Sequence, residues 1–353
     1  MSKTNTGNFF EDYSIGQVIE HATPRTVTPG DQSLYTALYG SRFALQSSVE
    51  FAKKLGFERS PVDDLLAFHI VFGKTVPEIS LNAIANLGYA QGKFFVPVFP
   101  GDTLWATSEI IGLKQNSNGK TGVVYVRTVG RNQRGEVVLS YVRWVMVRKR
   151  DEASPAPETV VPDLAEAVPA AELSVAQNVV YAKANLTMSG CPHCWEDYEV
   201  GERIDHVDGM TVEEAEHQLA TRLYQNTAKV HFNQHTEGQG RFGKRLIYGG
   251  HVISLARALS FNGLGNAFQI AAINGGTHVA PLFAGDTVYA WSEVLDMAEI
   301  DGRPGMGALR LRLVALKDQA PAGFPYKDAD GKYDASVILD FDYWALLPRS
   351  VQN

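Results

Sequence analysis

The side chains best suited to chemistry lie in Leu223–Asn233, LYQNTAKVHFN. His231 exchanges a proton near neutral pH and so suits a general base. Asn226, five positions earlier (231 − 226), offers an amide that holds a water or a substrate oxygen beside that histidine. A second element follows in Arg245–Leu259, RLIYGGHVISLARAL, where Gly249-Gly250 open a run with Val252, Leu255, Ala256 and Leu259 at helical spacing. Two glycines at a helix start admit a ligand to free backbone N–H groups at the positive end of the helix dipole. That arrangement suits a developing oxyanion, such as the enolate of a thioester.

The elements that must position these groups come from an internal repeat. FEDYSIGQVIEH from Phe10 lines up with WEDYEVGERIDH from Trp195, an offset of 185 (195 − 10). Thr26-Val27 meets Thr211-Val212, and Tyr39 meets Tyr224, at the same offset. VPVFPGDTLWATSEI from Val96 then matches APLFAGDTVYAWSEV from Ala280, at 184 (280 − 96). Each half reads as a short strand or turn, a polar-started helix, a more apolar helix and several strands. The first helix of the second half is expected at Glu213–Gln225, with Leu219 and Leu223 on one face. The apolar helix is expected from Gly249 to about Asn262-Gly263, and its first-half counterpart over 62–73 with Leu65, Phe68 and Phe72. Strands are expected at 104–111, from Val123, from Val137, at 287–295, from Leu309 and from Ala335, with period-2 alternation clearest in LRLRL.

The repeat also discriminates between the halves. Asn226 and His231 correspond to Ser41 and Gln46, and Gly249-Gly250 to Asp64-Leu65 after Asp63. Neither Ser41 nor Gln46 can act as acid or base, and carboxylates would repel an enolate. The pattern is one working site and one that has lost its chemistry. By contrast Gly101-Asp102-Thr103 recurs as Gly285-Asp286-Thr287, and His21 recurs as His206. Presence in both halves marks these as structural, Gly-Asp being a turn into a strand. Cys191-Pro-His-Cys194 lacks a second Cys pair and a flanking strand and long helix, which favours neither zinc nor redox chemistry.

The chain of 353 residues accommodates two ordinary domains. We expect 1–150 as an N-terminal repeat without a working site, 151–185 as a linker and 186–353 as the C-terminal repeat with the site. Within the linker, 151–176 is rich in Pro, Ala and Glu, with prolines at 155, 157, 162 and 169, and reads as an extended tether. A stretch at 317–335 has no first-half counterpart and reads as a surface loop or β-excursion. A net charge of −7 without a basic run argues against nucleic acid or an acidic membrane surface as partner. The polar MSKTNTGNFFEDY start lacks a signal-peptide core, and the apolar stretch near Leu65–Gly73 is too short to span a bilayer. With two cysteines only, a cytoplasmic protein without a disulfide framework is expected.

With these residues in view, the chain resembles the MaoC-like, R-specific enoyl-CoA hydratase family over nearly its whole length. The FEDY and WEDYEVG openings, the helix running into the His231 loop, the glycine helix start and the FPGDT and FAGDT strand entries match in order. The resemblance implies an α+β tandem (double) hot-dog fold, with antiparallel sheets each wrapped around a central helix. It implies a hydro-lyase acting on an acyl-CoA, with no cofactor and no metal, assembled as a homo-oligomer, a dimer. His231 falls on the family's histidine and Gly249 on the glycine whose N–H polarises the thioester carbonyl. Asn226 falls on its aspartate and departs from it: an amide orients water but accepts no proton, so the base would be His231 alone. The two-repeat layout and Tyr224–Asn233 look most like the members that interconvert 2-methylfumaryl-CoA (mesaconyl-CoA) and β-methylmalyl-CoA. That substrate's free carboxylate calls for a cation, and Lys229, Arg241, Lys244 and Arg245 flank the segment. Substrate-binding candidates are Gly250, Tyr248, Lys229 and Arg245. The inactive half would supply walls of the acyl and CoA groove. A hot-dog thioesterase, with Glu237 as the nearest carboxylate, and a non-catalytic acyl-CoA-binding protein are the alternatives.

Overall fold

Alternating apolar residues select strands, and the two apolar helices have no wet face, so the helices must be wrapped by the sheet. In the computed structural model, which describes residues 3–350, this is the arrangement. The first half contributes β1 (Val18–Thr26), β2 (Ala83–Phe94), β3 (Thr103–Gln115), β4 (Thr121–Arg131) and β5 (Val137–Arg148). The second half contributes β6 (Arg203–Thr211), β7 (Gln269–His278), β8 (Thr287–Glu299), β9 (Met306–Lys317) and β10 (Val337–Pro348). They form one sheet in the order β1-β3-β4-β5-β2-β7-β10-β9-β8-β6. The seam between halves is antiparallel, with Tyr89 opposite Gly276 and Lys93 opposite Ala272. The sequence reading missed β2 and β7, which are broken by glycines and polar residues, and these are the two strands that join the halves.

Four longer helices matter to the site: α1 (Pro29–Tyr39), α2 (Asp64–Thr75), α3 (Glu214–Leu223) and α4 (Gly249–Leu259). Thr28 caps α1 in a reciprocal pair with Asp31, and Gly40 ends it in a left-handed turn at φ 58°. Every residue of α2 from Leu65 to Thr75 is buried, and α4 is buried from Gly250 onward. Both helices share one core with the concave sheet faces, where each fully buried Leu or Phe contributes about 1.5–3 kcal/mol. On α3 the buried residues are His217, Ala220, Thr221 and Leu223; Leu219, expected on that face, is exposed. The arrangement is an α+β double hot dog.

Repeat partners meet on the pseudo-twofold axis. Tyr39 and Tyr224 share a 2.6 Å hydrogen bond, and His69 bonds the Ser254 hydroxyl at 2.9 Å, each pair being 185 apart. The repeated motifs are structural, as expected. Asp102 accepts the Phe99 N–H and Asp286 the Phe283 N–H, both at 2.9 Å. His21 bonds Ser108 and His206 bonds Ser292, both at 2.8 Å.

Residues 151–185 are an ordered strap across the outer side of the sheet. Val168, Val179 and Tyr181 are buried there beside Phe51, Phe268 and Trp344. The Val168 N–H donates to Asn274, and the Trp344 indole donates to the Val168 carbonyl. The stretch between β9 and β10 folds back over Trp291, whose indole N–H donates to the Pro325 carbonyl, and closes with a bridge between Lys327 and Tyr333. No helix among the described residues is long and apolar enough to cross a membrane.

Candidate active site

The site is set by where α3 ends. After Leu223 the chain turns at Gln225, a non-glycine residue at φ 54°, and Asn226 N–H returns to the Thr221 carbonyl. The turn lies against α2: a Cβ on Gly73 would sit 1.8 Å from the Tyr224 carbonyl oxygen, so only glycine admits this approach. Asn226 is buried, and its Oδ1 accepts the Ala228 N–H at 3.1 Å. That bond fixes the amide, and Nδ2 keeps two donors without a protein partner among the described residues.

His231 lies in a single helical turn, Lys229–Phe232, rather than in open loop. Its Nδ1–H donates to the Leu246 carbonyl at 2.8 Å, and Leu246 N–H donates back to the Val230 carbonyl. With Nδ1 so committed, the lone pair sits on Nε2, which has no protein partner among the described residues. Burial lowers the ring's pKa from 6.5 to about 4, the Leu246 bond opposing, so the imidazole is neutral at pH 7.

Asn226, His231, Tyr248 and Gly249 line one cavity of about 350 Å³. Gly249 opens α4, so its N–H has no acceptor within the helix. A Cβ there would lie 2.3 Å from the His278 ring, and one on Gly250 would strike Tyr248 and His69. Gly249 borders the cavity, whereas Gly250 serves packing. Tyr248 N–H donates to His217 Nε2 at 2.9 Å, which anchors the helix start to α3.

The proposed cations separate. Arg241 lines the cavity mouth with its guanidinium on the Phe242 ring. Arg245 is committed to Glu214 and Gln218, Lys244 lies over Phe283, and exposed Lys229 is not part of the lining. Glu237 is not part of the lining either, and no carboxylate is, among the described residues. Cys191 and Cys194 are buried free thiols in a corner held by the Asn266 amide, and no metal-binding cluster occurs among the described residues.

The other wall comes from the first half, as the resemblance implied, but the sequence reading named none of its residues. Phe72, Val76, Ser80, Ala85, Asn86, Tyr89 and Arg143, all of the first half, line the same cavity. His278, at the end of β7, also faces it, bonded to the Tyr89 hydroxyl at 3.3 Å and lowered to about 4 by burial. Arg143 is fully buried in β5, beneath the Phe72 ring at 4.1 Å, and only its Nη2 is partnered, by Thr75 Oγ1 at 2.7 Å. Its Nε and Nη1 have no acceptor, and each buried unpaired N–H costs about 1–3 kcal/mol. Arg143 is a charge in the otherwise apolar run YVRWVMV, and that was the available signal.

At the first-half counterpart the space is filled. Gln46 Nε2 donates to the Phe268 carbonyl, and Asp64 accepts the Ile270 N–H at 2.8 Å. Burial and the neighbouring Asp63 push the Asp64 carboxyl up to about 8. Asp64, Val96, Pro97 and the strap residues Ser174 and Ala176 leave about 20 Å³ there, room for roughly one water molecule.

Two helices wrapped by one ten-stranded sheet, with an open cavity at a glycine helix start, define a double hot-dog protein of the MaoC-like dehydratase class. A solved putative MaoC domain protein dehydratase from Chloroflexus aurantiacus superposes with a TM-score of 0.97 at 66% identity, over 99% of this chain and 100% of that one. A Mycobacterium tuberculosis protein described as a double hot dog shares the fold at a TM-score of 0.77 and 24% identity, over 98% of this chain and 99% of that one. The model of the mesaconyl-CoA hydratase family matches residues 1–325, and the chain belongs to that family. The chain is 66% identical to β-methylmalyl-CoA dehydratase of Chloroflexus aurantiacus, over 99% of each protein. It is 63% identical to mesaconyl-CoA hydratase of Cereibacter sphaeroides, over 98% of this chain and 100% of that protein.

Proposed function

We propose that this protein catalyses the reversible hydration of a 2-enoyl-CoA thioester, with mesaconyl-CoA and β-methylmalyl-CoA as the substrate pair. The observation that carries the reading is His231, locked at Nδ1 with a free Nε2, in the same cavity as the Asn226 amide and the Gly249 N–H. The names of the relatives at 66% and 63% identity supply the substrate pair.

Asn226 Nδ2 donates to a water oxygen and leaves a water proton for His231 Nε2. As water's oxygen bonds the β-carbon, that proton passes to Nε2 and the π electrons move into the thioester as an enolate. The Gly249 N–H, at the positive end of α4, holds the enolate oxygen. The imidazolium then returns its proton to the α-carbon and is neutral again. One group does both transfers, so water adds to one face. In reverse His231 takes the α-proton and delivers it to the leaving hydroxyl. The thioesterase alternative has no carboxylate lining the cavity among the described residues to activate water.

His231→Ala should lower hydration of mesaconyl-CoA by about 10²–10⁴-fold with the fold intact. The check is loss of the enoyl-thioester absorbance, beside circular dichroism. Wild-type rates in that variant would refute the mechanism.

A further inference from the structure

The cavity has two unlike ends. At the mouth stand exposed Arg241 and Phe242; within it, first-half strands and the turn after α2 present polar atoms without partners. Arg143 offers Nε and Nη1, Asn86 both amide atoms, and Ser80 its hydroxyl; all are buried and none is hydrogen-bonded. Native interiors leave few such atoms, so five on one wall of one cavity need an explanation. No acidic side chain lines the cavity among the described residues, and no ion pair to Arg143 occurs among them. A guanidinium with unpartnered N–H groups on Nε and Nη1 attracts a carboxylate, and a serine hydroxyl and an amide NH₂ add donors that its oxygens accept from.

We propose that Arg143, Asn86 and Ser80 form a receptor for the carboxylate at the end of the acyl chain opposite the thioester, so that the first half selects dicarboxylic acyl-CoA substrates while the second half performs the chemistry. This rests on the acyl-CoA reading above and names its specificity-determining residues. A thioester held at Gly249, with CoA leaving past Arg241, directs the rest of the acyl group toward this wall. The Phe72 ring over the guanidinium keeps water from the pair and strengthens it.

The test separates recognition from turnover by using two unreactive saturated four-carbon thioesters, succinyl-CoA and butyryl-CoA, titrated calorimetrically into the full chain. The wild type should bind succinyl-CoA about tenfold or more tightly than butyryl-CoA, the scale of one charge-assisted pair. Arg143→Met should erase that preference by weakening succinyl-CoA, with butyryl-CoA affinity held within about twofold. Asn86→Ala and Ser80→Ala should each reduce the preference by about three- to fivefold, and they decide the matter if Arg143→Met does not fold. A wild type without preference, or variants that keep it in full, would overturn the proposal. Turnover is not part of the readout. A protein that selects succinyl-CoA yet hydrates no enoyl-CoA would sink the hydratase reading and leave the receptor standing.

Discussion

A base shielded from bulk solvent in a cavity works at a different pH from one in solution. His231 is held at about 4 by burial, so its Nε2 lone pair is present across the physiological range. The hydration rate of the wild type should therefore be flat between about pH 6 and 8, where a histidine near its ordinary 6.5 would lose roughly three quarters of its base by pH 6. Asn226 contributes to this, because an amide adds no negative charge to favour the imidazolium. Asn226→Asp should raise the acidic limb of kcat/KM toward neutral pH, since a carboxylate in the same cavity stabilises protonated His231. A pH profile identical to the wild type's would show that the two side chains do not communicate.

Among the elements, α2 does the least expected work. It belongs to the half that carries Ser41 and Gln46 where the other has Asn226 and His231, yet it shapes the loop that carries Asn226, because Gly73 lets the Tyr224 carbonyl approach its backbone. Gly73→Ala improves helix propensity but forces helix and turn apart, so a loss of about 1–3 kcal/mol in stability is expected. Hydration should fall with it although every catalytic side chain remains; thermal melting and a rate measurement at low temperature check both. An unchanged melting temperature would contradict the close approach. This dependence was invisible in the sequence, since contacts across the repeat carry no periodic signal. The helices and outer strands were legible because apolar spacing reports burial directly. Strands β2 and β7 were not, because their glycines and polar residues answer to the seam and the cavity rather than to alternation. Likewise the Asn226–His231 pair showed itself by contrast with Ser41 and Gln46. Arg143 did not, because it lies inside a strand whose apolar neighbours dominate the pattern, and not at a helix end or loop.

Taken whole, the molecule stores much of its acid sensitivity in buried neutral imidazoles. Burial lowers His69 and His251 to about 3, His206, His231 and His278 to about 4, and His217 to about 2. Unfolded, these rings take a proton near 6.5, so below that pH the unfolded state binds more protons and stability falls with pH. Asp64, raised to about 8, acts in the opposite sense: its contribution is full below its ordinary value and is lost as pH rises through 8. The histidines outnumber it, and the melting temperature should be clearly lower at pH 5 than at pH 7.5. Equal values would mean that the rings are hydrated. The seam carries a different consequence. Trp144 faces Gly88 across β5 and β2, and Trp344 faces Ala272 across β10 and β7. Gly88 and Ala272 are separated by the repeat offset of 184, so Arg143 has Tyr343 as its counterpart. In a pair of identical subunits, each copy would have to bear both the base and the wall that faces its partner's base. Fusion lifts that double duty. Mutation can retune which acids are accepted through one half of the gene while the bond-making residues in the other half stay untouched, a division of labour open to a tandem chain and closed to a symmetric pair.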